Sequence, residues 1–372
     1  MNRSKINWVE RARALVPQLA EEAASTDREG RFVTGSHALL AKEGFLSALV
    51  PTELGGGGAR YGEAVGMLRE LARGCGSTAL ALSMHTHLVA ATVWKHIHGK
   101  PGEKLLRRVA DEDLVLVSTG AGDWLQSNGR AERVNGGFRV YGEKHFASGL
   151  PVGSLAITSI AYDCPDEGPS VLHFPLPLAA DGVKTLNNWD SHGMRGTGSH
   201  SLLIDGAFVP DAAIALKRPR EGWHPVWNVV LTVAPALYMA PYMGVAEAAA
   251  ELVRARSATD IDEVTLLQLG EMENRLTGAQ LALDALVDLA RDFDFSPDTA
   301  RAGRCLTAKT LVAQGCLAAV EKAMEIAGGA GYLRGRGLER LLRDVRGAPY
   351  HPLPEKRQQV IAGRLSLGLS PV

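Results

Sequence analysis

The sequence predicts a mainly α-helical chain with a central β domain, and three observations predict it. Apolar residues recur at three- and four-residue spacing before about residue 112 and again after about residue 212. Short β-type runs bounded by turn residues fill the stretch between them. The last helical segments are longer than the first, as the helices of a bundle are.

Residues 1–112 read as an N-terminal helical domain. Val9, Ala12, Leu15, Val16 and Leu19 share one helix face, and residues 61–73 and 77–96 repeat the pattern. Between them Pro51-Thr52-Glu53-Leu54 runs into Gly55 to Gly58, where the backbone must turn freely or admit a close neighbour.

Residues 113–212 read as a compact antiparallel β domain. Its runs lie at 114–117, 133–134, 138–140, 155–158, 171–174 and 201–204, separated by turn signals such as Asn135-Gly136-Gly137, Asp166-Glu167-Gly168-Pro169 and Asp205-Gly206. Residues 213–372 read as a four-helix bundle over 227–256, 263–293, 298–328 and 354–369. Ser296-Pro297-Asp298 starts one helix and Gly328-Gly329 stops it.

Composition narrows the function. With 372 residues, 46% hydrophobic and 22% charged, the chain can bury a substantial core. Its 40 basic and 41 acidic residues leave a net charge of −1, so no nucleic-acid partner is expected. Cys75, Cys164, Cys305 and Cys316 form no CxxC pair and no Cys/His cluster, which predicts neither a metal nor a disulfide framework. The charged amphipathic start and the lack of any run of about 18 apolar residues predict a cytoplasmic protein with no membrane partner. No strand-linked GxGxxG is present, so nicotinamide reduction has to come from another protein.

Five strings give the order a sharper meaning. They are Leu49-Val50-Pro51-Thr52-Glu53-Leu54-Gly55-Gly56, residues 138–149 (FRVYGEKHFASG), Gly193-Met194-Arg195-Gly196-Thr197-Gly198-Ser199, Gly328-Gly329-Ala330-Gly331-Tyr332, and Leu338-Glu339-Arg340-Leu341-Leu342-Arg343-Asp344. In this sequence order, over nearly the whole chain, they resemble the acyl-CoA dehydrogenase superfamily. The resemblance implies a flavin held between the β domain and the bundle, a small-molecule substrate, and pairing into homodimers or homotetramers. It also implies flavin contacts at Ser118, Thr119, Phe146, Ala147 and Ser148, with Gly328 and Gly329 at the cofactor as well.

The sequence departs from a dehydrogenase at the base. Most members carry a glutamate soon after the Arg-Asp pair, where this chain has Pro352, which cannot accept a proton. A minority carry it early in the first bundle helix, where residues 229–238 contain no acid, and Glu247 and Glu251 lie one to two turns further on. The Arg-x-x-Phe-Gly stretch is missing after that helix, and Glu325 replaces the usual glutamine, so FMN stands beside FAD as the expected cofactor.

Histidine replaces the base. His351 stands where the related two-component reduced-flavin monooxygenases, the dibenzothiophene monooxygenase type among them, carry an active-site histidine. His85 and His87 resemble the second histidine of such enzymes, and since residues two apart on a helix do not share a face, His87 is preferred. A neutral imidazole can donate or relay a proton near pH 7. The catalytic candidates are therefore His351 and His87, and the substrate-wall candidates are Trp124, Arg195, Tyr238 and Tyr242.

The resulting expectation is a flavin-dependent oxidoreductase, a monooxygenase that receives reduced FMN or FAD from a separate flavin reductase. The alternatives are an FAD-dependent acyl-CoA dehydrogenase with a displaced base and an electron-transfer partner, or a catalytically silent binding subunit.

Overall fold

The computed structural model describes residues 6–120, 125–164, 166–257 and 262–372. Five helices come first: α1 (Trp8–Glu29), α2 (Thr34–Lys42), α3 (Tyr61–Gly74), α4 (Gly76–Ile97) and α5 (Glu103–Asp111). Asn7 caps α1 by accepting from the Glu10 amide, and Gly30 ends it in the left-handed conformation. α4 is buried along most of its length, so its polar residues must find partners inside the protein.

The middle of the chain forms two four-stranded sheets. One has the order β1 (Leu116–Ser118), β4 (Leu155–Cys164), β5 (Gly168–Pro177), β8 (Leu216–Pro219); the other has β2 (Arg130–Val134), β3 (Gly137–Lys144), β7 (Leu202–Pro210), β6 (Val183–Thr185). Their inner faces enclose Val117, Phe138, Val140, Ile160, Leu172, Phe174, Ile204 and Val209 as a core separate from the helical one. Pairing is antiparallel as the sequence predicts, except that β1 runs parallel to β4. β6 and β8 are additions, too short to carry an alternating pattern of their own.

The helices then return as α6 (Val226–Ser257), α7 (Glu263–Ala290), α8 (Thr299–Ala327), α9 (Gly329–Tyr332), α10 (Leu338–Val345) and α11 (Glu355–Ser366). α6 is the axle of the molecule, packed against α7 and α8 on one side and α3 and α4 on the other. Its stretch Val226–Ala255 is long and apolar enough to cross a membrane, which the sequence reading did not expect, but 94% of the most apolar window is buried by these neighbours. α11 packs along α8, and the turn before it brings residues 351–353 against α6 and α8.

Candidate functional site

Side chains from two bundle helices hold three consecutive carbonyls and one imidazole of the turn before α11. Lys309 on α8, 1% exposed, donates from Nζ to the His351 carbonyl at 3.0 Å and the Leu353 carbonyl at 3.2 Å. Tyr238 on α6 donates its hydroxyl to the carbonyl between them, that of Pro352, at 2.7 Å. One turn further on, the Tyr242 hydroxyl lies 2.7 Å from His351 Nε2. Residues four apart share a helix face, so one helix presents both tyrosines to one loop. The Tyr238 ring also stacks on the imidazole, with centroids 5.1 Å apart and planes 12° from parallel.

These contacts fix the imidazole's proton. Tyr242 is buried, and its hydroxyl has no other partner among the described residues. Were Nε2 the donor, the phenolic proton would be buried unpaired at a cost of about 1–3 kcal/mol. Tyr242 therefore donates, Nε2 accepts, and the His351 proton sits on Nδ1, which has no protein partner among the described residues. Burial, with the Lys309 ammonium and His87 nearby, pushes His351 down to about 3, so the ring is neutral at pH 7. Burial also lowers Lys309 to about 8, and at pH 7 it stays mainly charged.

The two histidines of α4 have different roles. His85 Nδ1 accepts from the Leu116 amide at 3.0 Å, so its Nε2 donates to the Leu46 carbonyl at 2.8 Å. Both nitrogens are used to tie β1 onto α4, which makes His85 a structural residue. His87 donates from Nδ1 to the Ser83 carbonyl one turn back, at 3.3 Å, and its Nε2 is left as an acceptor. Burial pushes His87 down to about 4, and its charge reaches His351. The pair thus offers one donor, His351 Nδ1–H, and one acceptor, His87 Nε2.

The predicted flavin-edge residues gather around the same helix. Gly149 sits with its added-Cβ position 3.9 Å from the Ala81 carbonyl of α4, which brings the 146–149 turn beside the helix that carries His87. Ser148 Oγ lies 2.7 Å from Ser199 Oγ, which lies 2.7 Å from Thr197, and Thr197 donates to the Met194 carbonyl. The Ala147 amide donates to the His200 carbonyl, and Thr119 donates to Thr158 at 2.8 Å. Ser118, at the end of β1, keeps a hydroxyl with no partner among the described residues. Phe146 is held at a φ of +58° and stays 56% exposed, edge-on to Trp189.

A flat flavin ring needs an apolar wall and a few donors at its polar edge. The exposed Phe146 ring suits the apolar wall, and the Ser118 hydroxyl and His351 Nδ1–H as donors, with His87 Nε2 as an acceptor, suit the polar edge. No cluster of three potential metal ligands occurs among the described residues.

Other expected site residues are placed elsewhere or used otherwise. Tyr238 and Tyr242, expected in a substrate wall, hold His351 and its loop. Arg195, expected at the substrate, donates to the Asp27 and Ser191 carbonyls and to Asp190, which fixes the 190–199 loop against the end of α1. Gly328 and Gly329 lie at the far end of α8, about 28 Å along the helix from Lys309, and are exposed. Glu325 beside them pairs with Lys322 at 2.6 Å and accepts from Gln268. Trp124 lies outside the described residues.

The sequence reading missed the buried cations. Lys309 stands in a stripe with Ala302, Cys305, Leu306, Val312, Ala313 and Cys316, and a lysine in such a stripe is a signal that periodicity alone could have raised. Arg218, 1% exposed, donates to His173 Nε2 at 3.0 Å and to the Leu125 and Pro219 carbonyls, with its guanidinium 5.0 Å over the Trp227 ring. It joins β5 and β8 to the start of α6.

Comparison with known proteins follows the same lines. Residues 7–113 match the family model described as acyl-CoA dehydrogenase, N-terminal domain, and residues 233–354 match that of the C-terminal domain. The amino sugar nitrososynthase RubN8 of Streptomyces rubradiris is 29% identical over 353 residues, covering 89% of this chain and 82% of that protein. The dibenzothiophene monooxygenase of Rhodococcus erythropolis is 25% identical over 309 residues, covering 73% and 70%. Among solved structures, KijD3 in complex with FMN and dTDP-3-amino-2,3,6-trideoxy-4-keto-3-methyl-D-glucose superposes with a TM-score of 0.88 at 28% identity, covering 98% of this chain and 93% of that one.

Proposed function

This chain belongs to the acyl-CoA dehydrogenase family, and from that premise we propose that it is a reduced-flavin-dependent monooxygenase served by a separate reductase. It is a flavin-dependent oxidoreductase, and the observation that carries the finer reading is the neutral His351 imidazole beside Pro352, the residue that stands where most dehydrogenases of the family carry their carboxylate. When bound, the reduced flavin supplies the two electrons that activate dioxygen. His351 Nδ1–H donates a hydrogen bond to oxygen and so steadies negative charge that develops there. His87 Nε2 takes a hydrogen bond from the same group or from the substrate. Tyr242 holds the His351 tautomer, and the Tyr238 ring covers one imidazole face against water.

The dehydrogenase alternative needs a free carboxylate, and α6 does not offer one. Glu247 is bound by Arg69, with Nε 2.8 Å away, and Glu251 is bound by Arg73. A silent binding subunit would have no use for a loop pinned at three successive carbonyls.

The amino sugar nitrososynthase relatives, with the dTDP-linked amino sugar bound in the KijD3 structure, favour an amine on a nucleotide-linked sugar as substrate. A cytoplasmic location, a homodimeric or homotetrameric assembly, and the binding roles of Ser118, Thr119, Phe146, Ala147, Ser148, Gly328, Gly329 and Trp124 complete the proposal. So does a division of the chain near residues 112 and 212. The test supplies the protein with a flavin reductase, NADH, FMN and isotopically heavy dioxygen. A dTDP-linked amino sugar, dibenzothiophene and an acyl-CoA are offered in turn. One heavy oxygen atom in a product is the expected result. Bleaching of bound FAD by the acyl-CoA, with no heavy oxygen in any product, would overturn the proposal.

A further inference from the structure

We propose that Lys309 is the positioning residue of the site: its ammonium, by bridging the His351 and Leu353 carbonyls, sets the path of the loop that carries His351 and so aims the imidazole. The proposal deepens the oxygenase reading and rests on it for the role of His351.

Lys309 is a costly residue for its place. It is 1% exposed on a helix face whose other members are alanine, cysteine, leucine and valine, and burying an ammonium costs several kcal/mol. An apolar residue there would pack against the same neighbours, so bulk stability does not explain a charge. The geometry of its contacts does. Nζ reaches two carbonyls that flank a third, at 3.0 and 3.2 Å, and hydrogen bonds from a cation are stronger than those between neutral groups.

The third carbonyl, that of Pro352, is held from the other side by Tyr238. Two helices therefore grip three consecutive peptide groups, and the loop has no freedom to slide. The imidazole then meets Tyr242 at 2.7 Å and lies flat on Tyr238, two contacts that depend on where the backbone is held. Lys309 has three donors and uses two of them on the loop. The crevice above it, lined by Thr310, Gln314, Pro349 and Glu355, carries the charge of Glu355 near the ammonium.

The test uses Lys309→Met and Lys309→Gln with two readouts. The first needs no cofactor: the imidazole nitrogen signals of 15N-histidine-labelled protein, with the His351 pair identified by its loss in His351→Ala. The wild type is expected to show a single tautomer with the proton on Nδ1. Lys309→Met is expected to show tautomer averaging. Lys309→Gln, which keeps donors but cannot span both carbonyls, is expected to fall between. The second readout mixes reduced FMN with dioxygen in the presence of protein and follows the return of oxidised flavin. A delay imposed by the wild type is expected to shrink about 100-fold in Lys309→Met, the scale of a misplaced catalytic group.

If both variants keep the wild-type His351 signals, the proposal is wrong. Should Lys309→Met fail to fold, Lys309→Gln decides alone: displaced His351 signals support the proposal and unchanged ones overturn it. If the wild type itself imposes no delay on reduced FMN, the oxygenase reading fails, and the nitrogen signals still decide whether Lys309 positions His351.

Discussion

The first half of α8 and its end have very different surroundings. In the first half Lys309 is buried, and with Tyr238 and Tyr242 it holds three carbonyls and the Nε2 of the His351 loop. At its end, Gly328 and Gly329 are exposed, and nothing lies within 4 Å of where a Cβ would stand on either. The His351 loop is gripped from two helices of the same chain, whereas the Gly-Gly end is an open surface in the single chain.

The sharpest way to break the contrast is at His351. His351→Ala is expected to lower turnover by about 100- to 1,000-fold, the range of a lost hydrogen-bond donor to developing negative charge, while the melting temperature stays close to wild type. A loss of folding with no specific loss of turnover would make the pinned loop structural. Tyr242→Phe comes next. With the Nε2 donor gone, His351 can move its proton, and turnover is expected to fall about tenfold, equivalent to about 1.4 kcal/mol. Stability should drop by about 1 kcal/mol, the net worth of one hydrogen bond, which denaturant unfolding would measure.

The buried histidines give a third effect, on stability against pH. His85 and His87 are held at about 4, and His173 and His351 at about 3, all below the ordinary 6.5. Below pH 6.5 the unfolded chain takes up protons that the folded chain refuses, so stability is fully present above that value and is lost as pH falls toward 4. Asp344 acts in the opposite sense. Burial raises it to about 6, so its share of stability is gained as pH falls from 6 toward 3.8. One acid does not offset four histidines, and a net fall in melting temperature between pH 6.5 and 4 is expected. In Asp344→Asn, which keeps an acceptor for the Met194 amide bonded at 2.6 Å, the melting temperature relative to wild type should rise from pH 5 to pH 7.

The smallest effect is expected at the open end. Gly329→Ala should leave stability within about 0.5 kcal/mol of wild type, since the added methyl meets nothing. Reduced-FMN binding should weaken slightly, as the proposed cofactor role of Gly329 implies, which anaerobic titration would check. Unchanged FMN affinity would remove the Gly-Gly end from the cofactor site.

Much of the fold was legible, because helices such as α1 and α7 bury one face and write that face into their spacing. β6 and β8 were not, since three or four residues cannot establish a period and their place depends on the strands they join. The parallel pairing of β1 with β4 was also hidden, because direction follows from chain path and leaves no mark in a strand's composition.

At the proposed site, His351 and His87 were singled out through resemblance, and the tyrosines through their place on α6. What the tyrosines do was not, because an aromatic at helical spacing reads the same whether it faces a ligand or a neighbouring loop. Arg195 shows the same ambiguity, its guanidinium being turned to Asp27 and Ser191. Lys309 went unread because its partners are backbone carbonyls more than 40 positions away, and carbonyls have no signature in sequence.

The central claim is that this chain holds a neutral His351 with a free Nδ1–H for oxygen chemistry at a reduced flavin. The most direct test is to saturate the protein with reduced FMN without oxygen, mix it with dioxygen, and time the return of oxidised-flavin absorbance in wild type and His351→Ala. A delay in the wild type that vanishes in the variant is the predicted result. Immediate return in both, together with bleaching of bound FAD by an acyl-CoA, would contradict the claim and place a base for dehydrogenation elsewhere in the chain.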